Sequence, residues 1–183
     1  MKLYKNQYRV ESARLKDWDY SVPWWYDITV NTENHSNYFG TVQDGKMTLN
    51  TFGEVVKSEW LRSKEVREHI DLDYFIIMPN HLHGIVVINE STEVKSEVVE
   101  MHRHASQKLL YQIEENKYAR NSLSNIMRGF KSSVTVWAHG NGYSRFKWQS
   151  RFFDHIIRNN EDLFRIRKYM ENNPVRWSIE KKK

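Results

Sequence analysis

Two runs of β-forming apolar residues, joined by a Pro79-Asn80 turn, constrain the fold of this chain more than any other feature. The runs cover residues 70–78 and 82–88 and predict two neighbouring strands. Because both runs are almost continuously apolar, at least one face of their sheet has to be covered by helices.

A His-x-His pair, His81 and His83, stands at the start of the second run. Alternate residues of a strand share a face, so the two imidazoles point to one side about 7 Å apart, and Leu82 points to the opposite, core-facing side. Two imidazoles suit a transition metal and leave positions for a third ligand and a substrate oxygen. Without supporting context, however, such a pair is more often two polar residues on a solvated strand face.

Composition favours a polyanionic partner. The 183 residues fit one domain, and the chain has a net charge of +5 together with seven Trp, ten Tyr and eight Phe. Basic and aromatic side chains are what tracking phosphates and stacking on unpaired bases require. The absence of cysteine excludes disulfides, thiolate metal sites and a Cys nucleophile, and favours a cytoplasmic location. No apolar run is long enough to span a membrane, so we expect no membrane partner.

The rest of the chain predicts alternating strands and helices. A capping box, Thr51 with Glu54, marks the start of the first helix, and Asn173-Pro174 is expected to end the last one. The elements are a strand at 24–31, a hairpin at 39–49 with an Asp44-Gly45 turn, helices at 51–68, 122–138 and 159–172, and a strand at 146–157. We expect these to form a single domain, 1–183, with a basic arm (1–23), a charged insertion (89–119) and a short basic tail (178–183).

Tyr169 and Asn173 are four residues apart at the end of the last predicted helix and therefore share a face. Tyrosine is a known covalent nucleophile, but a phenol with a pKa near 10 needs activation, or a polarised electrophile, at neutral pH. His81, His83 and the Asn173 amide oxygen could hold a metal that polarises a phosphate. On spacing alone, a core-facing Tyr169 ring and a capping Asn173 explain the pattern better.

Four ordered segments decide between these interpretations: 78–86 (MPNHLHGIV), 127–135 (MRGFKSSVT), 148–158 (WQSRFFDHIIR) and 166–177 (IRKYMENNPVRW). They closely resemble the single-tyrosine HUH transposases, and within these the REP-associated tyrosine transposase branch. The similarity extends from about residue 20 to residue 177.

The resemblance implies an α+β fold, an antiparallel ferredoxin-like or RRM-like sheet with helices packed on it. It also implies that His81, His83 and Asn173 bind a divalent metal, Mg²⁺ or Mn²⁺, and that Tyr169 is the nucleophile. The implied DNA contacts are basic residues of the arm, the second long helix and the loop after Trp148, namely Arg9, Arg14, Arg128, Lys131 and Arg151.

The function expected from this resemblance is cleavage and rejoining of single-stranded DNA beside hairpins, through a 5′-phosphotyrosine intermediate. The protein would act as a monomer or a homodimer. One alternative is a hairpin-binding protein with a host role and no productive strand transfer. A replication or relaxation nickase of the wider HUH group is a further alternative, which is disfavoured because such enzymes usually have longer chains.

Overall fold

The computed structural model describes Leu15 and residues 18–90 and 122–180. The strands are β1 (Trp25–Asn31), β2 (Gly40–Gln43), β3 (Lys46–Leu49), β4 (Ile70–Met78), β5 (His81–Ile88) and β6 (Phe153–Ile156). The helices are α1 (Thr51–Glu65), α2 (Leu123–Gly140), α3 (Asn160–Glu171) and α4 (Asn173–Glu180), and a short 3-10 turn covers Glu33–His35. None of the described helices is long and apolar enough to cross a membrane.

Four strands form one antiparallel sheet in the order β4-β5-β1-β6, and β2 and β3 pair separately as a hairpin. Without the hairpin, the order along the chain is β1-α1-β4-β5-α2-β6. Since β5 lies between β1 and β4, this is the split βαβ arrangement of ferredoxin-like folds. The predicted α+β fold with an antiparallel sheet is confirmed.

Helices cover both faces of this sheet. On one face, α1 and α2 enclose the main core with the alternate residues Tyr26, Ile28 and Val30 of β1. The close approach of α1 depends on Gly84 of β5, because a Cβ there would lie only 2.5 Å from Cζ2 of Trp60. On the other face, α3 packs against the odd-numbered residues of β5 in a smaller apolar cluster of Ile85, Val87, Ile157, Ile166 and Met170.

The start of α1 differs from the predicted capping box. The N-cap is Asn50, whose side-chain oxygen accepts a 2.9 Å hydrogen bond from the Gly53 amide. Thr51 is already inside the helix, which ends at Glu65. Asparagine and threonine are both good caps, and Asn50 takes the position because its backbone is extended where the chain leaves β3.

Two further predictions are wrong in detail. The strand predicted at 146–157 is limited to β6, since Phe146 and Trp148 pack into the aromatic core and Trp148 makes only an isolated bridge with Thr32. The last predicted helix ends where expected, since α3 finishes at Glu171, but residues 178–180 of the predicted tail belong to a further helix, α4, that begins at Asn173. Pro174 is compatible with this, since a helix needs no amide donors in its first turn.

Candidate active site

Three of the residues predicted to carry chemistry, His81, His83 and Tyr169, lie together on the α3 side of the sheet. His81 and His83 at the start of β5 have ring centroids 4.8 Å apart, and the Tyr169 ring lies 5.5 Å from that of His83 in an edge-to-face contact. Trp177 of α4 lies 6.0 Å from His81. Asn173, the first residue of α4, is buried. Both histidines are thus covered by the junction of α3 and α4.

A charged pair fixes α3 above the histidines. The guanidinium of Arg167 donates two hydrogen bonds to the Asp73 carboxylate on β4, the Nε bond being 2.7 Å long. This pair, mainly through the hydrogen bonds, holds the pKa of Asp73 below its ordinary value. Because Arg167 is two residues before Tyr169, the ion pair and the buried Ile166 and Met170 beside it set the position of the tyrosine.

Asn80 fixes the protonation of the His81 ring. Its amide nitrogen donates to the His35 carbonyl at 2.9 Å, so its Oδ1 is the atom that faces Nδ1 of His81, 2.6 Å away. An amide oxygen only accepts hydrogen bonds, and Nδ1 of His81 must therefore carry the proton. The Nε2 lone pair of His81 is left available, which is the arrangement found for histidines that bind metals.

The turn that supports Asn80 has an unusual backbone. Asn34 and His35 have φ angles of 55° and 53°, in the left-handed region that non-glycine residues rarely adopt. This conformation presents the His35 carbonyl to Asn80. Backbone strain of this kind is concentrated at functional sites, and here it supports the orientation of His81.

Burial keeps both histidines neutral. It lowers the pKa of His81 to about 3, with smaller effects from His83 and His35, and the pKa of His83 to about 4. Nδ1 of His83 lies 2.7 Å from Oγ1 of Thr29, on the neighbouring strand β1. Neutral imidazoles are the form that binds metal ions, so the pair fits a divalent cation.

A third ligand from the described residues would have to be uncharged. No group of three or more His, Cys, Asp or Glu side chains in residues 18–90 and 122–180 could hold a metal ion. The amide oxygen of Asn173 is a neutral donor of the type that suits Mg²⁺ and Mn²⁺. With an amide oxygen beside two imidazoles, a donor set of His81, His83 and Asn173 would suit a divalent ion such as Mn²⁺, which accepts both nitrogen and oxygen ligands.

Tyr169 is accessible to a large substrate. Its side chain is 45% exposed, and the Arg176 guanidinium lies 5.3 Å from its ring centroid. Trp177, which contacts His81, also borders a polar groove of about 600 Å³ between the β2–β3 hairpin and the turn at Pro79. The polar residues of this groove are Asn37, Thr41, Gln43, Thr48 and Asn50.

The predicted DNA contacts are not gathered at this site. Arg128 is exposed on α2, which covers the opposite face of the sheet, where it borders a cavity together with Arg67. The Lys131 ammonium donates to the backbone carbonyls of Gln149, at 2.5 Å, and Ser150, at 3.3 Å, and burial lowers its pKa. Arg151 is exposed in the loop before β6.

Arg9 and Arg14 lie outside the described residues, as do most of the predicted arm and insertion. Sequence reasoning missed Thr29, Asn80 and Trp177 as parts of the site. Asn80 directly precedes the His-x-His pair, which is a signal that could have identified it. Thr29 could be found only from the pairing of β1 with β5.

No family model matches the chain. An uncharacterized protein of Haemophilus influenzae is 34% identical over 166 residues, which cover 91% of this chain and 88% of that protein. This chain and the Haemophilus protein belong to one family. Among solved structures, a REP-associated tyrosine transposase bound to a REP hairpin superposes with a TM-score of 0.57, over 90% of this chain and 74% of that one. The two sequences are 19% identical, and the likeness shows a shared fold.

Proposed function

We propose that this protein cleaves and rejoins single-stranded DNA beside hairpins, with Tyr169 as the nucleophile. The observation that carries the proposal is the contact of a half-exposed tyrosine with a neutral histidine pair, at 5.5 Å between ring centroids. A buried tyrosine, as the spacing alone favoured, would be unable to reach a phosphate. The shared fold with a hairpin-bound tyrosine transposase supports the same substrate class.

In the proposed reaction, Oη of Tyr169 loses its proton to solvent and attacks the scissile phosphorus. The bond from phosphorus to the 3′ oxygen breaks, and the leaving strand takes up a proton as a 3′-hydroxyl. The product is a 5′-phosphotyrosine ester. The phosphotyrosine ester retains the free energy of the phosphodiester bond that was broken. A 3′-hydroxyl can therefore attack its phosphorus in the reverse reaction, which reseals the strand and releases Tyr169 without a nucleotide cofactor.

His81, His83 and Asn173 would hold Mg²⁺ or Mn²⁺, which would supply Lewis-acid polarisation of the scissile phosphate. Asn80 keeps the Nε2 lone pair of His81 available, and burial keeps both rings unprotonated at neutral pH. The Arg176 guanidinium beside the Tyr169 ring adds positive charge close to where the phosphate would bind.

The test is a covalent adduct on denaturing gels with labelled single-stranded DNA from the repeats that flank the gene. Tyr169→Phe should abolish the adduct and leave DNA binding within a few-fold, since only a hydroxyl is lost. Tyr143→Phe is a matched control, because Tyr143 is partly exposed but packs against Phe52 and Trp137 on the opposite side of the sheet from the histidines. An undiminished adduct in Tyr169→Phe would refute the nucleophile.

Metal dependence has its own control. His81→Ala combined with His83→Ala should eliminate the adduct and retain the fold, and full cleavage in excess chelator would contradict the proposed metal. Tight hairpin binding by a protein that never forms the adduct would instead favour the alternative, a hairpin-binding protein without strand transfer.

A further inference from the structure

An exposed phenylalanine lies on the same face of the sheet as the histidine pair. Thr29 of β1 pairs with His83 on one side and with Phe153, the first residue of β6, on the other. Directly paired residues of antiparallel strands project to the same face, and Thr29 contacts His83 through its side chain. Phe153 is therefore two strands from His83, at a distance of about 10 Å, since neighbouring strands are about 4.8 Å apart.

Core packing does not account for Phe153. Its side chain is 52% exposed, whereas its neighbours Phe152 and Asp154 are turned toward the other side of β6 and are partly or fully buried. β6 is an edge strand of the sheet, and edge strands usually carry charged residues that discourage unwanted pairing. A half-exposed ring gains only part of the free energy of burial. Phe153 is thus an apolar surface presented to solvent beside the candidate active site.

We propose that Phe153 is a stacking platform for an unpaired base of the DNA strand that is cut at Tyr169. The inference rests on the proposed function and extends it to a specific subsite. A phenyl ring has no hydrogen-bonding group, so it accepts the face of any base, and aromatic residues on a sheet face are a recurrent means of holding single strands. Stacked nucleotides of one strand are about 3.4 Å apart, so a separation of about 10 Å corresponds to a base within about three nucleotides of the scissile phosphate.

The experiment measures binding of a hairpin with a fluorescent single-stranded flank, in a Tyr169→Phe background so that no cleavage occurs. Phe153→Ala should weaken binding about 5- to 150-fold, the range expected for one stacked base. Phe153→Trp should restore the affinity. Phe164→Ala is the matched control, because Phe164 is 63% exposed on the solvent side of α3 and should have no effect.

A walk of single abasic nucleotides along the flank identifies the partner base. With the abasic site at the position of the stacked base, Phe153→Ala should cause no further loss of binding affinity, because that base is already missing. With the abasic site at any other position, Phe153→Ala should weaken binding as it does for the intact flank. If Phe153→Ala does not fold, as judged by circular dichroism, Phe153→Leu keeps an apolar side chain and removes the aromatic face.

Equal affinity of the Phe153 and Phe164 variants, or a penalty that no abasic position cancels, would overturn the stacking subsite. The readout is binding and does not depend on the chemistry at Tyr169. If one abasic position cancels the binding loss of Phe153→Ala, but the protein with Tyr169 intact forms no adduct, the proposed cleavage is refuted and the stacking subsite is established. If the adduct forms but Phe153→Ala has no effect on binding, only the subsite is refuted.

Discussion

Replacing Asn80 by alanine tests how the site orients its first histidine. The change removes the 2.6 Å contact to Nδ1 of His81 and the 2.9 Å bond to the His35 carbonyl, both in a buried environment. At about 0.5–1.5 kcal/mol for each hydrogen bond, we expect a loss of about 1–3 kcal/mol in the free energy of unfolding. Loss of such a supporting partner usually weakens metal binding about 10- to 100-fold, which corresponds to about 1.4–2.8 kcal/mol.

Asn80→Asp is the matched variant, because it keeps an acceptor oxygen for His81, removes the amide donor to His35 and adds a negative charge beside the imidazole. We expect it to lose stability as Asn80→Ala does, but to bind Mn²⁺ at least as tightly as the original protein, since a carboxylate partner makes the imidazole more basic. Calorimetric titration with Mn²⁺ and denaturant unfolding separate the two effects. Unchanged Mn²⁺ affinity in Asn80→Ala, or equal losses in both variants, would refute the proposed orientation of His81.

Three further predictions concern charge. Burial raises the pKa of Asp27 to about 6, so ionisation of this carboxyl opposes folding as the pH rises above about 4. In denaturant titrations, Asp27→Asn should therefore be more stable than the original protein by about 2–3 kcal/mol at pH 8 and equally stable at pH 4. A difference that does not change with pH would contradict this. Arg167 lowers the pKa of Asp73, so this pair stabilises the fold above about pH 4, and its contribution is lost as the pH falls through the lowered pKa. Asp73→Asn should reduce the free energy of unfolding by about 1–3 kcal/mol at pH 7 and make stability less dependent on pH in the acid range. An unchanged acid dependence would show that the pair does not stabilise the fold. If Arg128 contacts a phosphate, Arg128→Gln should reduce the slope of log K for DNA binding against log salt concentration by about one. Equal salt slopes for the original protein and Arg128→Gln would exclude Arg128 as a DNA contact. Lys131→Gln should mainly reduce the free energy of unfolding, since the Lys131 ammonium is hydrogen-bonded to two backbone carbonyls.

Local patterns were sufficient to predict most of the strands and helices and the shared face of His81 and His83. The alternation of β5 placed His81 and His83 on one face. The prediction that Tyr169 and Asn173 share a face of one helix is wrong, because α3 ends at Glu171 and Asn173 begins α4. The resemblance to a known family, and not spacing, favoured an exposed Tyr169 over a core-facing one, because 3.6-residue periodicity does not distinguish a core-facing ring from one that faces a site.

Features that depend on tertiary pairing could not be predicted in this way. Thr29 supports His83 only because β1 lies next to β5 in the sheet, and strand order is not encoded in local periodicity. Trp148 has the β-forming character of a strand residue but packs into the aromatic core, which overrides its intrinsic preference. The Asn173-Pro174 pair favoured a helix end, and the structure uses the same proline to begin α4.

The most direct test of the proposed function is to locate the DNA on the protein. After the cleavage reaction, nuclease digestion should leave a short 5′-phosphorylated remnant on one tyrosine, and trypsin should release residues 169–176, in which Tyr169 is the only tyrosine. Mass spectrometry should find the nucleotide mass on this peptide, at Tyr169. A nucleotide on any other residue, or cleavage without a nucleotide-bearing peptide, would contradict Tyr169 as the nucleophile.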